Sequence, residues 1–259
     1  MKVVILCGGQ GTRFREETEV KPKPMVEIGG MPILWHIMKT YAHYGFNEFV
    51  LCLGYKGNVI KKYFYNYEML SNDFTIELGT NDIKTHPRHS EHGWKITLVD
   101  TGLKTMTGAR LKRVEGFVDE DMFMLTYGDG VTDINIHKLL EYHKSHGKIG
   151  TVTGASPPSR YGELMIEKDH VLSFNEKPAN QNNSINGGYF IFNKKFFNYL
   201  KCEDDCILER EPLEMLAKDK ELKVYQHKGF WQCMDTYRDY SFLKELWEEE
   251  HAPWKVWKD

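Results

Sequence analysis

Residues 1–14 read MKVVILCGGQGTRF, and VKPKPM follows at 20–25. Val3, Val4, Ile5 and Leu6 make a short continuous apolar run, the pattern of a strand buried on both faces. Gly8, Gly9 and Gly11 then allow a tight turn, with Arg13 just beyond it. In an open parallel sheet, ligands bind in the crevice outside the carboxyl ends of the strands, and a glycine-rich turn there exposes backbone N–H groups that suit anions. The opening therefore predicts an α/β fold with an anion site directly after its first strand.

The segments that follow keep the same rhythm. FVLCLGY (49–55), KITLVDT (95–101), MFMLTYGDG (122–130) and GTVTGAS (150–156) read as strands. Between them lie helical patterns. In PILWHIMKTYAHYG (32–45), Ile33, Ile37, Met38 and Tyr41 recur at the spacing of one buried face, and DINIHKLLEYHKSHG (133–147) offers Asp133 as a cap. Strand–helix alternation predicts a mostly parallel sheet covered by helices on both sides. Later the spacing shortens: GELMIEKDHVLSFNEKP (162–178) and INGGYFIFN (185–193) read as a smaller β-rich part. LEREPLEMLAKDK (208–220) reads as a helix, LKVYQHKGFWQCMD (222–235) as a strand and YRDYSFLKELWEEE (237–250) as a closing helix. With no repeat or linker, residues 1–259 are expected to form a single domain, with 66–110 as an insertion or loop region and 240–259 as a C-terminal helix and tail.

Two common phosphate loops fail on their own requirements. A dinucleotide loop needs a third glycine where Phe14 stands, and Pro22 and Pro24 interrupt the helix that should follow. A Walker loop needs four residues between its glycines and then Gly-Lys-Ser/Thr, which is absent. Lys21 and Lys23 each precede a proline, which biases both toward a stiff extended backbone and so toward side chains that are aimed.

A formal charge of −3 on 259 residues gives no overall basic surface, which argues against a nucleic-acid partner; phosphate recognition here is local. The five cysteines are scattered without a C-x-x-C pair, which suits reduced thiols and a cytoplasmic protein. No stretch approaches the roughly 20 apolar residues of a membrane span, so no membrane partner is expected.

Two aspartates stand at ends of apolar runs. Asp129 lies between glycines after 122–127, where an Asp-Gly turn is the plain alternative, and Asp235 follows 222–234, where a helix cap is the alternative. The functional alternative for such isolated carboxylates is a hard cation such as Mg²⁺, which takes one or two protein carboxylates. The sequence FNEKP presents Glu176 and Lys177, a pair that alone reads as a solvated turn, and Asn186 and Gly187 open INGGYF. His86, His89 and His92 are three apart, but Pro87 breaks the helix that would align them, so a polar loop able to meet a neighbouring subunit is expected there. Trp247, Trp254 and Trp257 suit packing of a tail or a subunit interface.

Taken together, the strand followed by GGQGTR and the Lys23-Pro24 pair resemble the sugar-nucleotide pyrophosphorylases, or nucleotidyl transferases. The likeness continues through VDTG, MTGARLKRV, TYGDGV, INGGYF and GFWQCMDT to APWK, nearly the whole chain. It implies the nucleotide-diphospho-sugar transferase fold and Mg²⁺-dependent transfer of a nucleotidyl group, with CTP and α-D-glucose 1-phosphate as substrates. The setting it implies is nucleotide-sugar and surface-polysaccharide biosynthesis, including lipopolysaccharide O-antigen. By that resemblance Arg13 and Lys23 act on the phosphates. The nucleotide is held by Leu6, Cys7, Gly8, Gly9, Gln10, Gly11, Thr12, Gly128, Arg110 and a threonine, Thr105 or Thr107. The sugar phosphate would meet Tyr161, Gly162, Glu176, Lys177, Asn186 and Gly187, and Asp129 and Asp235 would hold magnesium. A homo-oligomer is also implied. The competing readings are the same chemistry with UTP, dTTP or another sugar phosphate, and a regulatory subunit without activity. The latter would be expected to lack Arg13, Lys23 or one of the two aspartates, and all four are present.

Overall fold

In the computed structural model, which describes residues 1–9, 11, 20–86, 88–156, 163–175 and 184–258, the first strand β1 (Val3–Leu6) is buried along its whole length. Val3 and Ile5 enter one core and Val4 and Leu6 another, one on each side of the sheet. Six more strands complete the sheet: β2 (Glu48–Leu53), β3 (Lys95–Asp100), β4 (Met122–Tyr127), β5 (Gly150–Ala155), β6 (Ile185–Asn193) and β7 (Leu222–His227). Their order is β7-β5-β6-β4-β1-β2-β3. Every pairing is parallel except those of β6, which runs antiparallel to β4 and β5. This is the mixed, mostly parallel sheet expected of the sequence.

From β1 the chain builds outward through β2 and β3, then returns to place β4 on the other side of β1. The order reverses between β1 and β4, so a crevice opens beyond their carboxyl ends, between residues 7–9 and 128–129.

Helix α1 (Ile33–His43) departs from the expected single buried face: eight of its 11 residues are buried. The C-terminal tail covers its outer side. Trp35 meets Trp257, and His36 meets Trp247 and Trp254, through edge-on ring contacts. The indole of Trp254 donates to His36 Nδ1 at 3.3 Å, and His36 Nε2 donates to the Ile28 carbonyl at 2.9 Å, which assigns the neutral Nε2–H tautomer. Trp254 and Trp257 are therefore core, and Trp247 packs half-buried against it.

Helix α2 (Thr107–Arg113) lies beside β1, and α3 (Ile136–His146) begins later than expected. Its cap is Asn135, whose side chain accepts from Lys138 N at 3.0 Å, while Asp133 comes within 2.9 Å of His227 Nε2. The stretch 222–235 is two strands, broken at Lys228-Gly229: β7, and a short Trp231–Cys233 strand that leaves the main sheet. Residues 66–110 are less of an insertion than expected, since they include edge strand β3 and the start of α2. What protrudes is an exposed hairpin, Asp73–Glu77 paired with Asp82–His86. The closing helix α4 (Tyr237–Glu248) starts from a capping box in which Thr236 and Asp239 satisfy each other's backbone N–H groups.

Candidate active site

At the crevice between β1 and β4 lies a cavity of about 320 Å³. Its wall includes Leu6, Cys7, Gly8, Gly9 and Gly11 from the first turn, Gly128 and Asp129 from beyond β4, Thr105, Thr107 and Arg110 around the start of α2, and Lys23 and Asp235. Segments scattered over more than 200 residues of chain thus meet where the strand order predicts a ligand.

The glycine loop is bare because something stands behind it. Arg110 is 4% exposed, and its guanidinium donates to the carbonyls of Leu53 (3.0 Å), Gly102 (2.7 Å) and Gly8 (3.1 Å) and to Thr101 Oγ1 (2.9 Å). A Cβ on Gly8 would fall 2.3 Å from the guanidinium carbon, whereas a Cβ on Gly9 would meet nothing within 4 Å. Arg110 therefore braces the loop: its donors are spent on carbonyls, and the face of the loop toward the cavity is left as backbone.

Lys23 does not lie on the extended stretch expected before a proline. Pro22 caps a single 3₁₀ turn, Lys23–Met25, with Pro24 inside it, and Met25 N donates to the Pro22 carbonyl at 2.8 Å. Pro24 fits that first turn because its missing N–H has no partner to lose and its φ is already set. The stiffness expected of the segment survives by this other route. Lys23 Nζ donates to Asp129 Oδ2 at 2.7 Å and to Asp235 Oδ1 at 2.5 Å. Burial opposes the charged ammonium, but the Asp129 charge, Cys233 and the two hydrogen bonds outweigh it and raise the pKa above the ordinary lysine value.

The two aspartates meet through a ladder that leaves no trace in local sequence. A short strand Gly130–Thr132 follows β4, so Asp129 is neither a hairpin turn nor followed directly by a helix. That strand pairs antiparallel with Trp231–Cys233, and Met234 N donates to the Asp129 carbonyl at 2.8 Å. Asp235 lies outside the cap of α4, which is Thr236. Asp129, Cys233 and Asp235 each offer a donor atom, and these atoms lie within 4.8 Å of one another. Two carboxylates converging on one positive charge make a cation seat. A hard divalent ion that takes one or two carboxylates and completes its shell with water and phosphate oxygens fits this set.

Both threonines line the cavity, with their hydroxyls committed: Thr105 donates to Asp204 at 2.9 Å and Thr107 to Glu209 at 2.7 Å. Glu209 also accepts from the Tyr127 hydroxyl at 2.5 Å, and Asn186 Nδ2 reaches that hydroxyl at 3.3 Å. Burial and the Glu209 carboxylate raise the Tyr127 pKa, so the hydroxyl keeps its proton. Tyr127 and the strap holding Asp204 and Glu209 were not singled out in the sequence. Their only signal is contact across the fold, 82 residues apart for Tyr127 and Glu209.

Of the sugar-side residues, Asn186 and Gly187 open β6 beside Tyr127, and the Gly187 carbonyl accepts from Trp231 Nε1 at 2.7 Å. Tyr161, Gly162, Glu176 and Lys177, together with Gln10, Thr12 and Arg13, lie outside the described residues. The histidines sit apart: His86 is on the exposed hairpin, and His89 Nε2 lies 3.1 Å from Glu68 Oε2. Among the described residues they form no metal cluster.

This fold and crevice are those of a nucleotidyl transferase, and the family model of that description matches residues 2–246; the chain belongs to the nucleotidyl transferase family. Glucose-1-phosphate cytidylyltransferase of Salmonella typhi is 51% identical over 259 residues, covering all of both chains, and that of Salmonella typhimurium strain LT2 is equally similar. Among solved structures, HddC from Yersinia pseudotuberculosis superposes with a TM-score of 0.68 at 25% identity, over 95% of this chain and 99% of its own.

Proposed function

We propose that this protein transfers a cytidylyl group from CTP to α-D-glucose 1-phosphate, giving CDP-glucose and pyrophosphate. The observation that carries the reading is 51% identity along the full length to curated cytidylyltransferases. The cavity at the strand-order switch supports it. A phosphate oxygen of the sugar phosphate attacks the α-phosphorus in line, the bond from that phosphorus to the β-bridging oxygen breaks, and pyrophosphate leaves. No covalent enzyme intermediate is needed, so the chain contributes position and charge.

Gly8, braced by Arg110, gives the nucleotide a backbone wall together with Gly9 and Gly11. Lys23, half-buried and aimed by its 3₁₀ turn, places an ammonium against the reacting phosphates, and Arg13 steadies the departing pyrophosphate. Asp129 and Asp235 hold magnesium, which when bound neutralises phosphate oxygens. On the sugar side Asn186 and Gly187, with Tyr161, Gly162, Glu176 and Lys177, receive glucose 1-phosphate.

The protein acts as a single domain within a homo-oligomer in the cytoplasm, supplying a nucleotide sugar to surface-polysaccharide synthesis such as O-antigen. No helix among the described residues is long and apolar enough to cross a membrane. Incubation with CTP, glucose 1-phosphate and magnesium, with the product identified by mass, tests the reading. Absence of CDP-glucose would refute it.

A further inference from the structure

The cation seat has a third donor that the transfer reaction does not use. Cys233 ends the Trp231–Cys233 strand, and its Sγ lies with one oxygen of Asp129 and one of Asp235 in a group no wider than 4.8 Å. A single tetrahedral ion with bonds of about 2.0–2.3 Å holds its ligands roughly 3.3–3.7 Å apart, so side-chain rotations of about an ångström draw these three donors onto it. The backbone keeps the set together: Cys233 is paired with Gly130, and Met234 N is bonded to the Asp129 carbonyl. Lys23 Nζ, lodged between the two carboxylates, marks where positive charge is held. Magnesium is hard and leaves the sulfur alone, but a borderline-soft ion gains from it.

We infer that Asp129, Cys233 and Asp235 form a three-donor site for zinc, which takes the place of the Lys23 ammonium and arrests turnover by occupying the magnesium seat. On binding, the Cys233 thiol gives its proton to solvent, the sulfur–zinc bond forms, and no electron changes hands. The fourth tetrahedral position falls to water or a phosphate oxygen. Because zinc lies above magnesium in affinity for mixed oxygen and sulfur donors, low zinc competes with a large excess of magnesium. The inference rests on Asp129 and Asp235 being cation ligands, and its principal readout does not require turnover.

Cadmium is the spectroscopic probe, since cadmium–thiolate bonds give an ultraviolet charge-transfer band. Titrated into the full chain, cadmium should raise this band to one equivalent. A large excess of zinc should diminish it by competition, and Cys202→Ser, which removes the exposed cysteine, should leave it unchanged. Cys233→Ser should remove it, and should weaken zinc inhibition of magnesium-supported pyrophosphate release by about tenfold or more, at least the effect of losing a group that supports a metal ligand. A band that persists in Cys233→Ser, or no band in the unaltered protein, overturns the site. The expected band in a protein that makes no CDP-glucose supports the zinc site and refutes the transfer reading. Normal CDP-glucose synthesis without the band removes the zinc site alone.

Discussion

Arg110 Nη2 donates to the Gly8 carbonyl at 3.1 Å, and the same guanidinium fills the space a Gly8 side chain would need. Gly8 and Gly9, adjacent in sequence, thus do different work. One makes room behind the loop for its brace, and the other keeps the cavity side bare.

Gly8→Ala should destabilise the protein by about 1–3 kcal/mol, because the displaced guanidinium is tied to several carbonyls and cannot swing away without leaving them unpaired. Gly9→Ala should change stability by less than about 0.5 kcal/mol yet raise the KM for the nucleotide. Denaturant unfolding of both variants beside their kinetics checks the pair; equal stability losses would remove the distinction.

Lys23→Ala should lower kcat by about 10²–10³-fold, the scale of losing one aimed donor to a developing charge. It also leaves Asp129 and Asp235 facing each other. Without metal the variant should lose stability by an amount between the ~1 kcal/mol of an exposed pair and the ~3–5 kcal/mol of a buried one. Magnesium should then raise its Tm more than it raises that of the unaltered protein. Thermal scans with and without magnesium decide this, and an equal shift in both proteins would contradict a shared seat for the ammonium and the ion.

Asp129→Asn should abolish activity or require far more magnesium for half-maximal rate, since a neutral amide is a poor ligand for a hard cation. An activity titration against magnesium gives the answer. An unaltered midpoint would reduce Asp129 to a turn residue.

Burial lowers the pKa of His36 from 6.5 to about 4, against the smaller opposing pull of backbone partners at Ile28 and Met31. The folded state keeps this histidine neutral while the unfolded chain takes up a proton below pH 6.5, so stability falls as pH drops from 6.5 towards 4. The slope is at most about 1.4 kcal/mol per pH unit for the site. His143, lowered to about 4 by burial and by His146, adds to it. Chemical denaturation across that range should show the decline, with a shallower slope in His36→Gln; parallel slopes would acquit His36.

Much of the fold could be read in the sequence because burial on both faces of a parallel strand leaves continuous apolar runs, as in Val3–Leu6 and Phe49–Leu53. The glycine turn was legible because its backbone needs are local, whereas the prolines around Lys23 pointed to an extended stretch where the chain makes a 3₁₀ turn. The outer face of α1 was not, since the tail that covers it arrives more than 200 residues later, in the bond from Trp254 to His36. The joining of Asp129 to Asp235 depends on a three-residue ladder too short to show a pattern. The family resemblance gives Arg110 as a nucleotide contact, and only packing shows that most of its donors serve carbonyls behind the loop.

The central claim is the transfer of a cytidylyl group to glucose 1-phosphate. It is tested most directly by pyrophosphate release with magnesium across CTP, UTP, dTTP, GTP and ATP, each paired with glucose 1-phosphate and with other sugar 1-phosphates. The kcat/KM for CTP with glucose 1-phosphate should stand well above that of every other pairing. A higher value for UTP or dTTP, or no release with any pair, would contradict it.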